Sequence, residues 1–393
     1  MSRLLTRCAG AVCCASIGQA SLVSNQQGGR RIVGQPGLDT EALQGLSLTL
    51  FSKMEGAVTA TLIHLGGQLG LYRALAAAPA TSEELAERAG LHERWVREWL
   101  YNQAAAHLID VDTSVPGREK FSMGPEAVAV LADEHHPAFG LGWFHSLPAT
   151  VAVAPRLVES FRTGVGHSYD VFGESGALGI EMSLKAWNEA NVVSVVLPAL
   201  DGVVELLTEG AAVADIGCGT GTVALTVAKA FPKSRVVGYD ISQYAIDRAK
   251  ERLAEQGLDN VAFSDPRVDP LPNDGSLDLV CTFDCMHDMT RPFDVAAAIR
   301  RSLSDNGTWL MVEIKGLPTF AENAALNPMA SLLYGASVLT CLSSAMSEPD
   351  GAGFGTLGMH QDAARGLAER AGFTRFRRLA IDHPANAFYQ IRP

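Results

Sequence analysis

The chain has 393 residues, a net charge of −12, and 47% hydrophobic against 19% charged residues. That length makes about two or three domains with a sizeable core, and the composition excludes a disordered chain. The acidic balance argues against a nucleic-acid partner, whose phosphates call for cations.

Seven cysteines, with no CxxC or Cys/His spacing, form neither a disulfide framework nor a zinc motif. No metal is expected, and a reducing, cytoplasmic setting is. Mean hydropathy is +0.12. The longest uncharged stretch, Asn323 to Ser347, contains Pro328, Gly335 and many polar residues, so it is read as a buried helix and no membrane partner is expected.

Residues 1–38 carry Arg3, Arg7, Arg30 and Arg31 and no acid. They read as a disordered tail, with an organelle-targeting segment as the alternative. From 39 to 125 helix follows helix. Leu62, Leu65, Leu69 and Leu75 fall roughly on one face. Thr81 and Glu84 predict a capping box, and Gly90 a C-cap. Residues 91–106 form the next helix, with Trp95, Trp99 and Leu100 as its expected buried side. Two short strands around Val115-Pro116-Gly117 follow.

Helix, turn, helix and hairpin is the order of a winged helix. Residues 39–150 hold seven Lys and Arg against fourteen Asp and Glu, and Glu93, Arg94, Arg97 and Glu98 cancel on the helix in the recognition position. A DNA reader needs a basic face there, so dimerisation or covering a site is the better reading. Residues 126–204 read as a helical linker or cap, with Gly164 to Gly179 as a loop able to close over a ligand.

Residues 205–393 carry the chemistry. Ala211 to Ile216 is an apolar strand, Asp215 to Gly221 reads Asp-Ile-Gly-Cys-Gly-Thr-Gly, and Thr222 to Phe231 is a helix. Strand, glycine loop and helix open a doubly wound α/β sheet, the glycines allowing a tight turn and close approach to a ligand. Arg235 to Asp240 is the second strand, ending in an acid nineteen residues after Gly221, where an acid suits two ribose hydroxyls. Asp215 before the first glycine disfavours a pyrophosphate and is compatible with a ligand carrying an ammonium group.

Over Asp215, Gly217, Cys218, Gly219, Gly221 and Asp240 the chain resembles the class I S-adenosylmethionine-dependent methyltransferases. The resemblance implies a Rossmann-like seven-stranded doubly wound sheet behind a mainly α winged-helix domain. It also implies S-adenosyl-L-methionine as cofactor, a small-molecule methyl acceptor and a homodimer. Ile241 beside the ribose acid, Asp265 after the third strand (261–264), and Phe283 and Asp284 after the fourth (277–283) complete the expected cofactor set. In the family the position of Asp265 caps the adenine. The fifth strand is Gly307 to Ile314, and Thr374 to Leu379 and Ala387 to Gln390 are the closing hairpin.

His287, in Phe283-Asp284-Cys285-Met286-His287-Asp288-Met289, is the expected catalytic base for transfer to oxygen. Small-molecule O-methyltransferases of this kind carry His-Asp-Trp there, and Met289 replaces the Trp. Residues 316–361 read as an acceptor lid offering Met329, Tyr334, Met346, Met359 and His360, with Gly351 to Gly355 as a hinge. Three alternatives remain: an S-adenosylmethionine-sensing winged-helix regulator without turnover, an N- or C-methyltransferase, and a nicotinamide-dependent oxidoreductase.

Overall fold

The structure, a computed structural model, describes residues 37–393; the expected tail or targeting segment lies outside them except for Gly37 and Leu38. The chain divides into two units, residues 1–54 and 55–393. The described part of the first holds the start of helix α1 (Thr40–Gln68), where Leu43, Leu46, Leu50, Phe51 and Met54 are all exposed.

The second unit opens with the rest of α1, then α2 (Leu71–Ala77), α3 (Ser82–Ala89), α4 (Glu93–Ala105) and an antiparallel hairpin of β1 (Asp110–Asp112) and β2 (Lys120–Ser122). Thr81 and Glu84 form the capping box, and Gly90 ends α3 in the left-handed region. Two expectations need correction here. Gly70, at φ 67°, breaks the helix, so Leu75 lies on α2 while Leu65 and Leu69 are exposed. On α4, Trp99 and Leu100 are buried but Trp95 is 80% exposed. Trp99 spends its indole N–H on Leu62 O (2.9 Å) and packs edge-on against Tyr72.

A helical stretch follows: α5 (Pro125–Leu131), α6 (Leu141–His145), α7 (Leu147–Ala152), α8 (Ala154–Thr163), a 3₁₀ turn (Tyr169–Phe172) and α9 (Gly173–Asn191). The glycine run expected as a closing loop is thus largely helical. Gly176 and Gly179 lie inside α9, where a Cβ would meet Phe172 Cβ and Ser146 Cβ at 2.5 Å, so they serve close packing.

The rest forms a three-layer α/β domain. Its helices are α10 (Val203–Glu209), α11 (Thr222–Ala230), α12 (Gln243–Gln256), α13 (Pro292–Ser302), α14 (Phe320–Leu326), α15 (Ala330–Leu339), α16 (Cys341–Ala345) and α17 (Gln361–Arg370). Its strands are β3 (Ala212–Ile216), β4 (Arg235–Tyr239), β5 (Val261–Ser264), β6 (Leu277–Phe283), β7 (Leu303–Ile314), β8 (Arg375–Arg378) and β9 (Asn386–Arg392), ordered β5-β4-β3-β6-β7-β9-β8. Only β9 runs antiparallel to both its neighbours, so the sheet is the expected seven-stranded one closed by a hairpin. Central strands are apolar on both faces because helices cover both, and the two core clusters lie on either side of them.

The Asn323 to Ser347 stretch is three short helices rather than one buried helix. It breaks at Asn327-Pro328 and at Thr340, and Leu326 and Leu332 are exposed. Among the described residues no single helix is long and apolar enough to cross a membrane. Of the expected lid side chains, Met359 is core, while Met329 and Tyr334 are exposed. The expected Gly351 to Gly355 hinge is packed and pinned. Ala352 N–H donates to Thr290 O (2.9 Å), Gly355 N–H to His287 O (3.1 Å), and a Cβ on Gly353 would strike Met346 Sδ.

Candidate active site

The glycine loop links β3 to α11 at the carboxyl edge of the sheet, where doubly wound folds place ligands. Gly217, Gly219 and Gly221 all have positive φ, but their surroundings differ. A Cβ on Gly217 would lie 2.6 Å from Cys285 Cβ, and one on Gly221 2.5 Å from the Phe263 ring, so these two glycines are packing requirements. A Cβ on Gly219 would meet nothing within 4 Å, so its outer face is open.

Asp240 closes that open space from the tip of β4. Its Oδ2 accepts Gly219 N–H and its Oδ1 accepts Ser242 N–H, both at 2.8 Å. Each oxygen keeps a lone pair, which is what two vicinal hydroxyls would need. Burial pushes this carboxyl up, with Asp170 adding to the shift. Ser242 O–H donates to Asp170 Oδ1 (2.6 Å), tying the turn before α9 to this edge.

Two expected cofactor residues, Asp215 and Asp265, are engaged by partners within the protein. Asp215 is buried rather than presented to a ligand. Its Oδ2 accepts Ala224 N–H (3.1 Å) at the start of α11, and burial pushes it up to about 7. Asp265 is clasped by Arg267 (Nη2 to Oδ2, 2.7 Å), whose positive charge and hydrogen bonds hold the carboxyl down. The same guanidinium donates to Ile241 O, and the Ile241 side chain is exposed. Cys218 is half-buried, and burial raises its thiol. Phe283 is half-buried at the end of β6.

Beyond β6 the chain turns sharply. Asp284 adopts φ 50°, unusual for a residue with a Cβ and a mark of strain held at a site. Asp284 N–H donates to Val312 O, and its carboxylate accepts from the Asn386 amide. Burial, together with nearby Glu313, pushes the carboxyl up to about 7. The turn delivers His287 into a buried position, with Nδ1 2.6 Å from Glu313 Oε2. Glu313 Oε1 accepts Met286 N–H (2.9 Å), so the carboxylate is fixed at both oxygens.

Glu313 follows Val312, which pairs with Phe283, so strand register places it beside this turn. A single acid in the apolar run Trp309 to Ile314 was a readable signal, yet sequence reasoning passed over it. Cys341, from the start of α16, and Tyr169, from the turn before α9, gave no local signal. Tyr169 O–H donates to Cys341 Sγ (3.4 Å), and the polar atoms of His287, Asp288 and Cys341 lie within 4.8 Å of one another.

Desolvation works against a charged His287, but the Glu313 carboxylate, its hydrogen bond to the ring and the nearby Cys341 sulfur outweigh it and raise its pKa. The imidazolium in turn draws the Cys341 thiol down to about 6 against its own burial. At neutral pH this pair holds one proton between two basic atoms, so it can accept one more.

Comparison with known proteins bears on the domains and the fold. Residues 207–371 match a family model described as a methyltransferase domain, and residues 57–132 match an Rv2258c-like winged HTH domain. Among curated proteins, a polyketide synthase, ThaQ, from Burkholderia thailandensis is 34% identical over 104 residues, 26% of this chain and 5% of that one. Ribosomal RNA large subunit methyltransferase G from Alcanivorax borkumensis is 37% identical over 87 residues, 22% of this chain and 21% of that one. The chain thus spans a minor part of these relatives.

Solved structures match nearly end to end. The mitomycin 7-O-methyltransferase MmcR superposes with a TM-score of 0.64 at 20% identity, over 90% of this chain and 99% of that one. Human N-acetylserotonin methyltransferase, solved in complex with SAM, gives 0.64 at 16%, over 91% and 99%. PigF, solved with SAH, gives 0.61 at 17%, over 87% and 98%. The chain therefore carries a methyltransferase domain behind an Rv2258c-like winged-helix domain, in the fold of the two-domain O-methyltransferases.

Proposed function

We propose that this protein transfers a methyl group from S-adenosylmethionine to an oxygen of a small, aromatic or apolar acceptor. The observation that carries the reading is the Glu313–His287 pair, set one turn beyond β6 and beside the glycine loop. When bound, the cofactor supplies an electrophilic methyl on a sulfonium. In this reading Asp240 takes its ribose hydroxyls and the open face of Gly219 lets the ligand approach the loop. The resident side chains then have two tasks, to position the acceptor and to remove its proton. The His287–Cys341 pair, oriented by Glu313, takes that proton, the thiolate being the basic atom of the pair left free.

Two observations support a small-molecule enzyme over a DNA-binding regulator. The helix in the recognition position neutralises its own charges, Arg94 with Glu98 (2.7 Å) and Arg97 with Glu93 (3.3 Å). The hairpin that follows is only three residues per strand. A homodimer joined through α1 is part of this reading, because Leu43, Leu46, Leu50 and Met54 form an exposed apolar stripe at helical spacing.

The test is a calorimetric titration with S-adenosylhomocysteine on wild type and Asp240→Ala, followed by an acceptor screen scored by methyl transfer. Micromolar binding lost in the variant supports the cofactor assignment. A well-folded wild type that binds nothing sinks it. Methyl transfer retained by His287→Ala would move the reaction from oxygen to nitrogen or carbon.

A further inference from the structure

Glu313 from β7 hydrogen-bonds His287 from the turn after β6, and the polar atoms of His287 and of Cys341, from the start of α16, lie within 4.8 Å of each other. Glu313 takes His287 Nδ1, so Nε2 is the ring nitrogen left for the Cys341 thiol. One hydroxyl also donates to the sulfur, Tyr169 O–H at 3.4 Å, while Thr340 Oγ1, 3.5 Å away, spends its own proton on Ala336 O. A thiol beside an imidazolium and a phenol donor is in an environment that stabilises a thiolate.

We propose that Cys341 is a nucleophilic cysteine, a site of covalent modification by soft carbon electrophiles such as enones and quinones. His287 is its proton partner, and Glu313 is the group that positions His287. In the step, the Sγ lone pair forms a bond to the β-carbon and the carbon–carbon π pair shifts onto the conjugated carbonyl. The proton of the His287 ring then neutralises the resulting enolate. The thiol hydrogen ends on the adduct, and nothing leaves.

The surrounding charges are consistent with this. Around Cys341 the charged and titratable neighbours are His287, Asp284 and Asp288 from the turn after β6, Glu313 from β7, and Tyr169. Burial keeps Asp288 protonated well above the carboxylate range and Tyr169 as a phenol, and pushes Asp284 up to about 7. The thiolate therefore faces one close cation and few competing anions. The other described cysteines are opposite in kind. Burial and the Asp215 charge raise the thiols of Cys218, Cys281 and Cys285 well above the ordinary value.

The experiment uses the full chain in a chelator-containing buffer, with N-ethylmaleimide as the probe. The rate of adduct formation on the Cys341 peptide is followed by mass spectrometry from pH 5 to 9. The expected rate is half-maximal near pH 6, about two and a half units below an ordinary thiol at about 8.5. His287→Gln should move the midpoint up by more than one unit. Tyr169→Phe should move it less in the same direction, which keeps a readout if the first variant folds poorly. A midpoint at or above 8.5 in wild type, no shift in either variant, or labelling only after denaturation overturns the proposal. Adduct formation needs no methyl donor, so a protein that labels at Cys341 but transfers no methyl fails only the functional reading.

Discussion

His287 Nδ1 lies 2.6 Å from Glu313 Oε2, and Glu313 is locked in turn by the Met286 N–H. A ring held this way has one orientation, as a pair that must take a proton from an acceptor hydroxyl at a fixed place requires. His287→Ala should lower kcat by about 10²–10⁴-fold, the usual contribution of a positioned base. Glu313→Gln should lower kcat in the same direction. S-adenosylhomocysteine affinity should stay within about twofold in both, measured by calorimetry. Unchanged kcat in His287→Ala would remove the base.

The three loop glycines separate packing from ligand space. Gly217→Ala puts a methyl 2.6 Å from Cys285 Cβ at φ 68°, so it should cost the fold about 1–3 kcal/mol and lower Tm. Gly219→Ala meets open space at φ 54°, so it should cost only about 1 kcal/mol. Its methyl nonetheless enters the volume assigned to cofactor. S-adenosylhomocysteine binding should therefore fall at least tenfold in Gly219→Ala, while melting stays near wild type. Equal melting losses in the two variants would refute this division.

Much of this layout was legible because it is local. Strand, glycine loop, helix and the acid at the next strand tip all sit in one continuous run, Ala211 to Asp240, and the capping box at Thr81 and Glu84 spans four residues. What escaped was set by contact across the fold. Trp95 and Trp99 share a helix, and only packing against Tyr72 distinguishes the buried one. The glycines at 351–355 carry the composition of a hinge, yet backbone bonds to Thr290 and His287 fix them. Cys341 and Tyr169 are 172 residues apart and meet only in three dimensions.

Burial raises Asp215 to about 7, so its charge opposes folding. The sign follows from linkage. The cost is absent below the unfolded value of about 3.9, grows as pH rises, and is complete above about 7. Asp215→Asn keeps an acceptor for Ala224 N–H and removes the charge. Its Tm relative to wild type should therefore rise between pH 5 and pH 8, on the order of several degrees. A Tm difference flat across that range would show that Asp215 carries no such shift.

Along α1, Leu43, Leu46, Leu50 and Met54 recur at intervals of three and four residues and are all exposed. A stripe at that spacing suits helix-on-helix packing, and leaving it in water forgoes about 25 cal/mol for each Å² of apolar area. A second copy of the chain covers it in the dimer reading. Light scattering after size exclusion should give a wild-type dimer at micromolar concentration. The double variant Leu46→Glu and Leu50→Glu should be a monomer that still binds S-adenosylhomocysteine, because the glycine loop and Asp240 lie in the other unit. A monomeric wild type, or a variant that stays dimeric, would sink the assignment of α1 as the dimer helix.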